Sequence, residues 1–207
     1  MKNYNYSHLL QSITMKFFNK INWRLAVLMT LFAISSNAFS VRYYVTQAGA
    51  GLQDGTTWDN SLSATDLQTK LSAAIDGDEF WIAGGIYYPT SGTDRTISFT
   101  IPSGVQVYGG FAGVVTDTTI TQRVKVDVNE NGVIEPWEFK NPTYFDGDIG
   151  TVSDTSDNSY RVVTLNVNDY GSVVVDGLII QNGNSISNGA GINIEVGDLY
   201  MPDIKIY

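Results

Sequence analysis

From residue 41 onward, apolar and polar positions alternate in short runs separated by turn residues. The runs are YYVT (43–46), EFWIA (79–83), ISFTI (97–101), VQVYG (105–109), RVVTLNV (161–167), SVVVDGLII (172–180), GINIEV (191–196) and DIKIY (203–207). A period of two in segments rich in Val, Ile, Tyr and Thr predicts strands, and the intervening SG, GG, DG and NG pairs predict tight turns. One segment has the helical period. SATDLQTKLSAAI places Leu67, Leu71, Ala74 and Ile75 on one face, as an amphipathic helix requires. Ser63 and Asp66 stand at capping-box spacing at its start, and Asp76-Gly77-Asp78 ends it.

The late runs also repeat. GSVVVDGLII from Gly171 aligns with GDLYMPDIKI from Gly197 at an offset of 26, so that Val173/Leu199, Val175/Met201, Leu178/Ile204 and Ile180/Ile206 coincide. SGVQVYGGF from Ser103 has the same alternation with Gly at the bend. Repeats of this length built from short strands and turns predict an all-β solenoid, a parallel β-helix in which each circuit of chain lays one rung. An antiparallel sandwich or barrel is the competing architecture, because its strands are evenly spaced too. The final run, DIKIY, carries no polar capping segment after it. An open last rung exposes backbone, so the chain is expected to be a C-terminally truncated fragment of a longer solenoid.

The first 40 residues follow a different pattern. They contain Lys2, Lys16, Lys20 and Arg24 but no Asp or Glu, then the apolar run LAVLMTLFAI, then the small residues SSNAFS. That order is a secretory signal peptide with cleavage after Ala38 or Ser40. The run is shorter than the ~20 residues that span a bilayer, although an N-terminal membrane anchor is the competing reading. Met15 is an alternative start, because MKFFNKINWRLAV is itself a complete signal. The mature domain is therefore residues 41–207, secreted or held at the outer cell surface, with no membrane span of its own.

Charge and composition then exclude whole classes of function. Four of the 12 Lys and Arg residues lie in the signal, leaving eight against all 21 Asp and Glu, a mature net charge of −13. Such a chain is a poor partner for nucleic acid. The single His, His8, lies in the signal, and there is no Cys. Histidine bases, Ser-His-Asp triads, Cys nucleophiles and disulfide frameworks are thereby removed.

The clearest chemical motif is DVNENGVIEPWE, Asp127 to Glu138, which fits D-x-N-x-N-G-x5-E. Calcium takes six to eight oxygens, and this spacing supplies them in order. Asp127, Asn129 and Asn131 offer side-chain oxygens, Val133 its carbonyl, Glu135 an oxygen directly or through water, and Glu138 both carboxylate oxygens. Gly132 allows the sharp turn, and Ile134 stands where such loops turn an apolar side chain inward. The loop resembles those of EF-hand and dockerin-type proteins. Its flanks depart from them: VKV before it reads as strand, and PWEFKN after it allows one or two helical turns at most. A structural Ca2+ holding an insertion at 127–138 is expected, with a chance polar turn as the competing reading.

Other polar residues give weaker signals. Asp146 and Asp148 in FDGDIG have the composition of a glycosidase acid pair, or of a turn or second ion contact. Arg95, Arg123 and Arg161 are candidate proton-abstracting groups only if the chain is a lyase. Trp58, Trp81, Tyr87, Tyr88, Tyr108 and Trp137 offer rings for stacking on sugars or for packing. Asn182, Asn184 and Asn188 suit corners between strands.

The strings GDEFWIAGGIYYPT, VYGGFAG, DGDIG and DNSYRVV, within residues 42–195, resemble secreted right-handed parallel β-helix repeat proteins of the Bacteroidetes type, which share the pectate-lyase fold. That resemblance implies a right-handed solenoid with the helix at Leu67–Ile75 as its N-terminal cap. Together these readings give a calcium-stabilised extracellular scaffold for adhesion or for contact with polysaccharide or host-surface glycan. No catalytic residue is assigned within this segment. The alternative is a polysaccharide lyase or glycoside hydrolase with its groove mainly in later rungs.

Overall fold

The computed structural model describes residues 39–168, 172–186, 189–196 and 203–207. The signal segment through Ala38, Asn188, and the repeat positions Leu199 and Met201 lie outside the described residues. The elements are β1 (Arg42–Val45), α1 (Ala64–Ser72), β2 (Glu79–Ala83), β3 (Gly85–Tyr87), β4 (Phe99–Pro102), β5 (Gln106–Phe111), β6 (Thr143–Asp146), β7 (Val163–Val167), β8 (Ser172–Asp176), β9 (Leu178–Gln181), β10 (Ile192–Val196) and β11 (Asp203–Ile206).

The strands pair in parallel within three sheets, ordered β1-β2-β5-β8-β11, β10-β7-β4 and β3-β6-β9. Parallel partners cannot be joined by a hairpin, so every pair is closed by a long crossover. From β2 to β11 the chain visits the five-stranded sheet, the β3 sheet and the β4 sheet in constant rotation. All three sheets and α1 turn apolar side chains into one core. It includes Phe80, Ile82 and Val107 from the large sheet, Tyr87 and Phe145 from the β3-β6-β9 sheet, Phe99, Ile101 and Leu165 from the β10-β7-β4 sheet, and Leu67 and Leu71 from α1. A second cluster, Trp58, Trp81, Ala83, Tyr108 and Phe111, packs apart from that core.

The expected all-β single solenoid, a right-handed parallel β-helix, is corrected. The strands do not share one continuous ladder. They fall into three separate small sheets, and a nine-residue α-helix packs against β4. The described part is a mixed α/β arrangement with mostly parallel strands. The physical cause is visible at Gly177, where φ is +72°. The run SVVVDGLII bends there into β8 and β9, which join different sheets. Only glycine adopts that backbone without strain.

The repeat register is corrected as well. Val173 pairs with Ile204 and Val175 with Ile206, whereas Leu178 and Ile180 belong to β9 and pair with Thr143 and Phe145. The helix is shorter than its pattern predicts, ending at Ser72, and Ile75 is exposed. The capping box does not form: Ser63 Oγ donates to Asp66 Oδ2 at 2.6 Å rather than accepting an amide.

Candidate metal centre

The connection from β5 to β6 carries the Asp127–Glu138 loop. Its stem is a short antiparallel pairing. Lys125 bridges Phe139, Val126 N donates to Glu138 O at 3.0 Å, and Lys140 N donates to Val124 O at 2.8 Å. VKV is thus strand-like, and no helix follows the loop.

Two carboxylates organise the turn. Asp127 accepts Asn131 N on Oδ1 at 3.1 Å and Gly132 N on Oδ2 at 2.7 Å. Glu138 accepts Val128 N and Asn129 N on Oε1 at 3.1 and 3.2 Å, and Glu135 N on Oε2 at 2.9 Å. Each carboxylate therefore gathers amides from remote parts of the loop, and its oxygens keep further lone pairs. Between them, Asn129 Oδ1 accepts Asn131 N at 3.0 Å and Asn131 Oδ1 accepts Val133 N at 2.8 Å. Glu135 takes the two carboxamide NH2 groups, from Asn129 at 3.3 Å and from Asn131 at 2.8 Å. Gly132 sits at φ +86° with nothing near its missing Cβ, so backbone conformation, not space, demands glycine there.

Of the expected ligands, Glu138 is buried, Asp127 and Glu135 are half-buried, and Asn129, Asn131 and Val133 are exposed. Among the described residues no three acidic side chains are grouped so as to hold a metal ion. An ion in this loop would draw on the Asn oxygens and the Val133 carbonyl as well as on carboxylates, a mixture that suits a hard cation. Ile134 is not turned inward; it is 57% exposed, and Val128, Val133 and Trp137 of the same loop are exposed too.

The amide of Glu135, followed by those of Asn129 and Val128, holds the Glu138 carboxyl below its ordinary value of 4.5. A carboxylate with a depressed folded pKa contributes stability above its unfolded pKa and loses it as pH falls through the folded one. The loop is therefore expected to loosen below about pH 4.5. Amide exchange at Val128, Asn129 and Glu135, followed against pH, checks this; unchanged protection down to about pH 3 would contradict it.

The stem is pinned to the sheets by Phe139 and Arg123. Phe139 is buried against Gly110 and Gly177, each at positive φ and each without room for a Cβ beside its ring. Arg123 lies over the Phe139 ring at 4.8 Å. Its Nε donates to Ile120 O at 2.9 Å, Nη1 to Gly109 O at 3.0 Å and Nη2 to Asp176 Oδ2 at 2.7 Å. Arg123 is therefore an anchor between the insertion, β5 and β8. The sequence marks it only as a candidate lyase base. No local pattern reveals the anchoring role, since its β8 partner is distant in the chain.

The remaining candidates separate cleanly. Arg95 is tied to the carbonyls of Asn158 and Asn184 at 2.6 and 3.0 Å and stacks over Tyr160. Arg161 is half-buried, with its Nε buried and unpartnered. Asp146 is buried and accepts Asp148 N, Asn182 Nδ2 and Gln181 Nε2 at 2.7 to 2.9 Å. Both oxygens of Asp148 accept Ser153 N. These contacts stitch a corner. Trp58, Trp81, Tyr87 and Tyr108 are buried, whereas Tyr88 and Trp137 are 41% and 64% exposed. Burial also raises the Tyr87 phenol, whose hydroxyl donates to Ala83 O at 3.0 Å.

Beside the loop lies a groove of about 420 Å³, walled by Val128, Trp137, Phe139, Pro142, Tyr144 and Ile179. Among the described residues no helix is long and apolar enough to cross a membrane. Compared with known proteins, the chain matches no family model, no curated protein and no solved structure.

Proposed function

We propose that this chain is a secreted or surface-displayed scaffold, stapled by one Ca2+ in the Asp127–Glu138 loop, that contacts glycan. The observation that carries the reading is the closure of the loop. Asp127 and Glu138, eleven residues apart in sequence, hold its amides from both ends, and the stem is locked to two sheet strands through Arg123. A cation there would cross-link the two ends of a long insertion. A ligand set mixing carboxylate, carboxamide and carbonyl oxygens, without a grouped triad of acids among the described residues, suits the weaker extracellular range, a Kd of ~10⁻⁵ to 10⁻³ M. Exposed Trp137, at the rim of the groove, is the ring placed to stack on a sugar.

Calcium titration by calorimetry, run beside Glu138→Gln, tests the staple. Saturable binding of one ion per chain, lost in the variant, is expected. Absence of heat at millimolar calcium would leave a hydrogen-bonded polar turn. The enzymatic alternative, a polysaccharide lyase or glycoside hydrolase, draws no support from Arg123, which is tied to Ile120, Gly109 and Asp176, or from Asp146 and Asp148, which hold corner amides.

A further inference from the structure

The same loop contains Asn131-Gly132, and its geometry differs sharply from that of the other described Asn-Gly pair, Asn182-Gly183. An Asn-Gly pair rearranges when the glycine nitrogen attacks the asparagine Cγ. The reaction needs a carboxamide folded back over the following peptide, an unhindered glycine, and a route for the amide proton. At Asn131, the carboxamide is folded back: its Oδ1 accepts Val133 N, two residues on, at 2.8 Å. That bond also polarises the C=O toward attack. No atom lies within 4 Å of where a Gly132 Cβ would be. The Gly132 N–H already donates to the Asp127 carboxylate at 2.7 Å, and Asn131 Nδ2 donates to Glu135 at 2.8 Å.

Asn182 lacks this freedom. Its backbone carbonyl accepts Asn158 Nδ2, and a Cβ on Gly183 would collide with the Ala190 carbonyl, so the glycine that must attack is hindered. Both asparagines are exposed, so the contrast lies in the crowding around the following glycine.

We propose that Asn131 is a self-modifying position, deamidating through a succinimide formed with Gly132, with the Asp127 carboxylate as proton acceptor. The Gly132 nitrogen bonds to Asn131 Cγ and passes its proton to Asp127. The Cγ–Nδ2 bond breaks, and Nδ2 leaves as ammonia, taking that proton. Water then opens the ring, leaving aspartate or isoaspartate at position 131. No oxidant or other co-reactant is needed. Aspartate adds a negative charge at the fifth place of the loop, and isoaspartate adds a backbone atom there and distorts it. The loop's cation affinity would thus change with the age of the molecule. This last consequence rests on the calcium reading; the deamidation does not.

The test is peptide mapping by mass spectrometry of the full chain aged at neutral pH and 37 °C in chelator, beside Gly132→Ala and Asp127→Asn. Acid product is expected at Asn131 several-fold ahead of Asn182, abolished in Gly132→Ala and slowed in Asp127→Asn. Product at Asn182 with Asn131 intact, or undiminished product in Gly132→Ala, would overturn the proposal. A parallel incubation in calcium separates the two readings. Slower conversion supports ligation of Asn131 Oδ1. Equal conversion leaves the deamidation standing and counts against calcium.

Discussion

Replacing Arg123 by alanine is expected to destabilise the chain by about 3 kcal/mol, the lower end of the range for breaking a buried ion pair. The Arg123 side chain is 8% exposed and that of Asp176 19% exposed, so the pair is screened only weakly by solvent. Three separate acceptors lose their donor in the variant: the carbonyls of Ile120 and Gly109, and the Asp176 carboxylate. An unpaired, partly buried carboxylate costs more than the pair was worth, which is why truncation is severe. Phe139 also loses the cation over its ring. Urea unfolding with unchanged m and a lowered midpoint is the expected readout. Asp176→Asn in the Arg123→Ala background should recover part of the loss, because it removes the stranded charge. A midpoint within error of the parent would mean that the insertion is not held to the sheets by this contact.

A comparable loss is expected from Phe145→Ala, about 3 to 5 kcal/mol for a large core aromatic. Phe145 is fully buried in β6, the central strand of its sheet. Its ring stacks on Phe99 at 4.1 Å and meets Tyr87 at 6.4 Å. Removing it opens a cavity where two sheets face each other, with β6 hydrogen-bonded on both sides and unable to collapse inward. Trp137→Ala is the control: a still larger deletion at a side chain 64% exposed should change the midpoint little. A small effect at Phe145, or equal effects at both, would contradict this packing.

The chain by itself determines whatever depends on neighbours in sequence. Period-two alternation is local, and EFWIA coincides with β2. The helical face at Leu67 and Leu71 is local too, and both are buried. The spacing of oxygens and glycine from Asp127 to Glu138 is fixed covalently, so the tight turn at Gly132 is legible in the motif alone. Strands β3 and β6 are not legible, because three or four residues show no usable period. The bend at Gly177 is hidden because VVV and LII are both unbroken apolar runs, although the core-facing positions switch from Val173 and Val175 to Leu178 and Ile180 across it.

Tertiary structure alone decided which strands share a sheet. That choice turns on pairings far apart in sequence, and it replaced one expected solenoid ladder with three sheets and shifted the partner of Val173 to Ile204. It decided that Ile134 faces solvent, and that Asp146 and Asp148 accept amides at a corner. It also decided that Arg123 is a pin. A guanidinium has the same letter whether it meets water, a substrate or a carbonyl, and its role follows from the acceptors that folding brings to it.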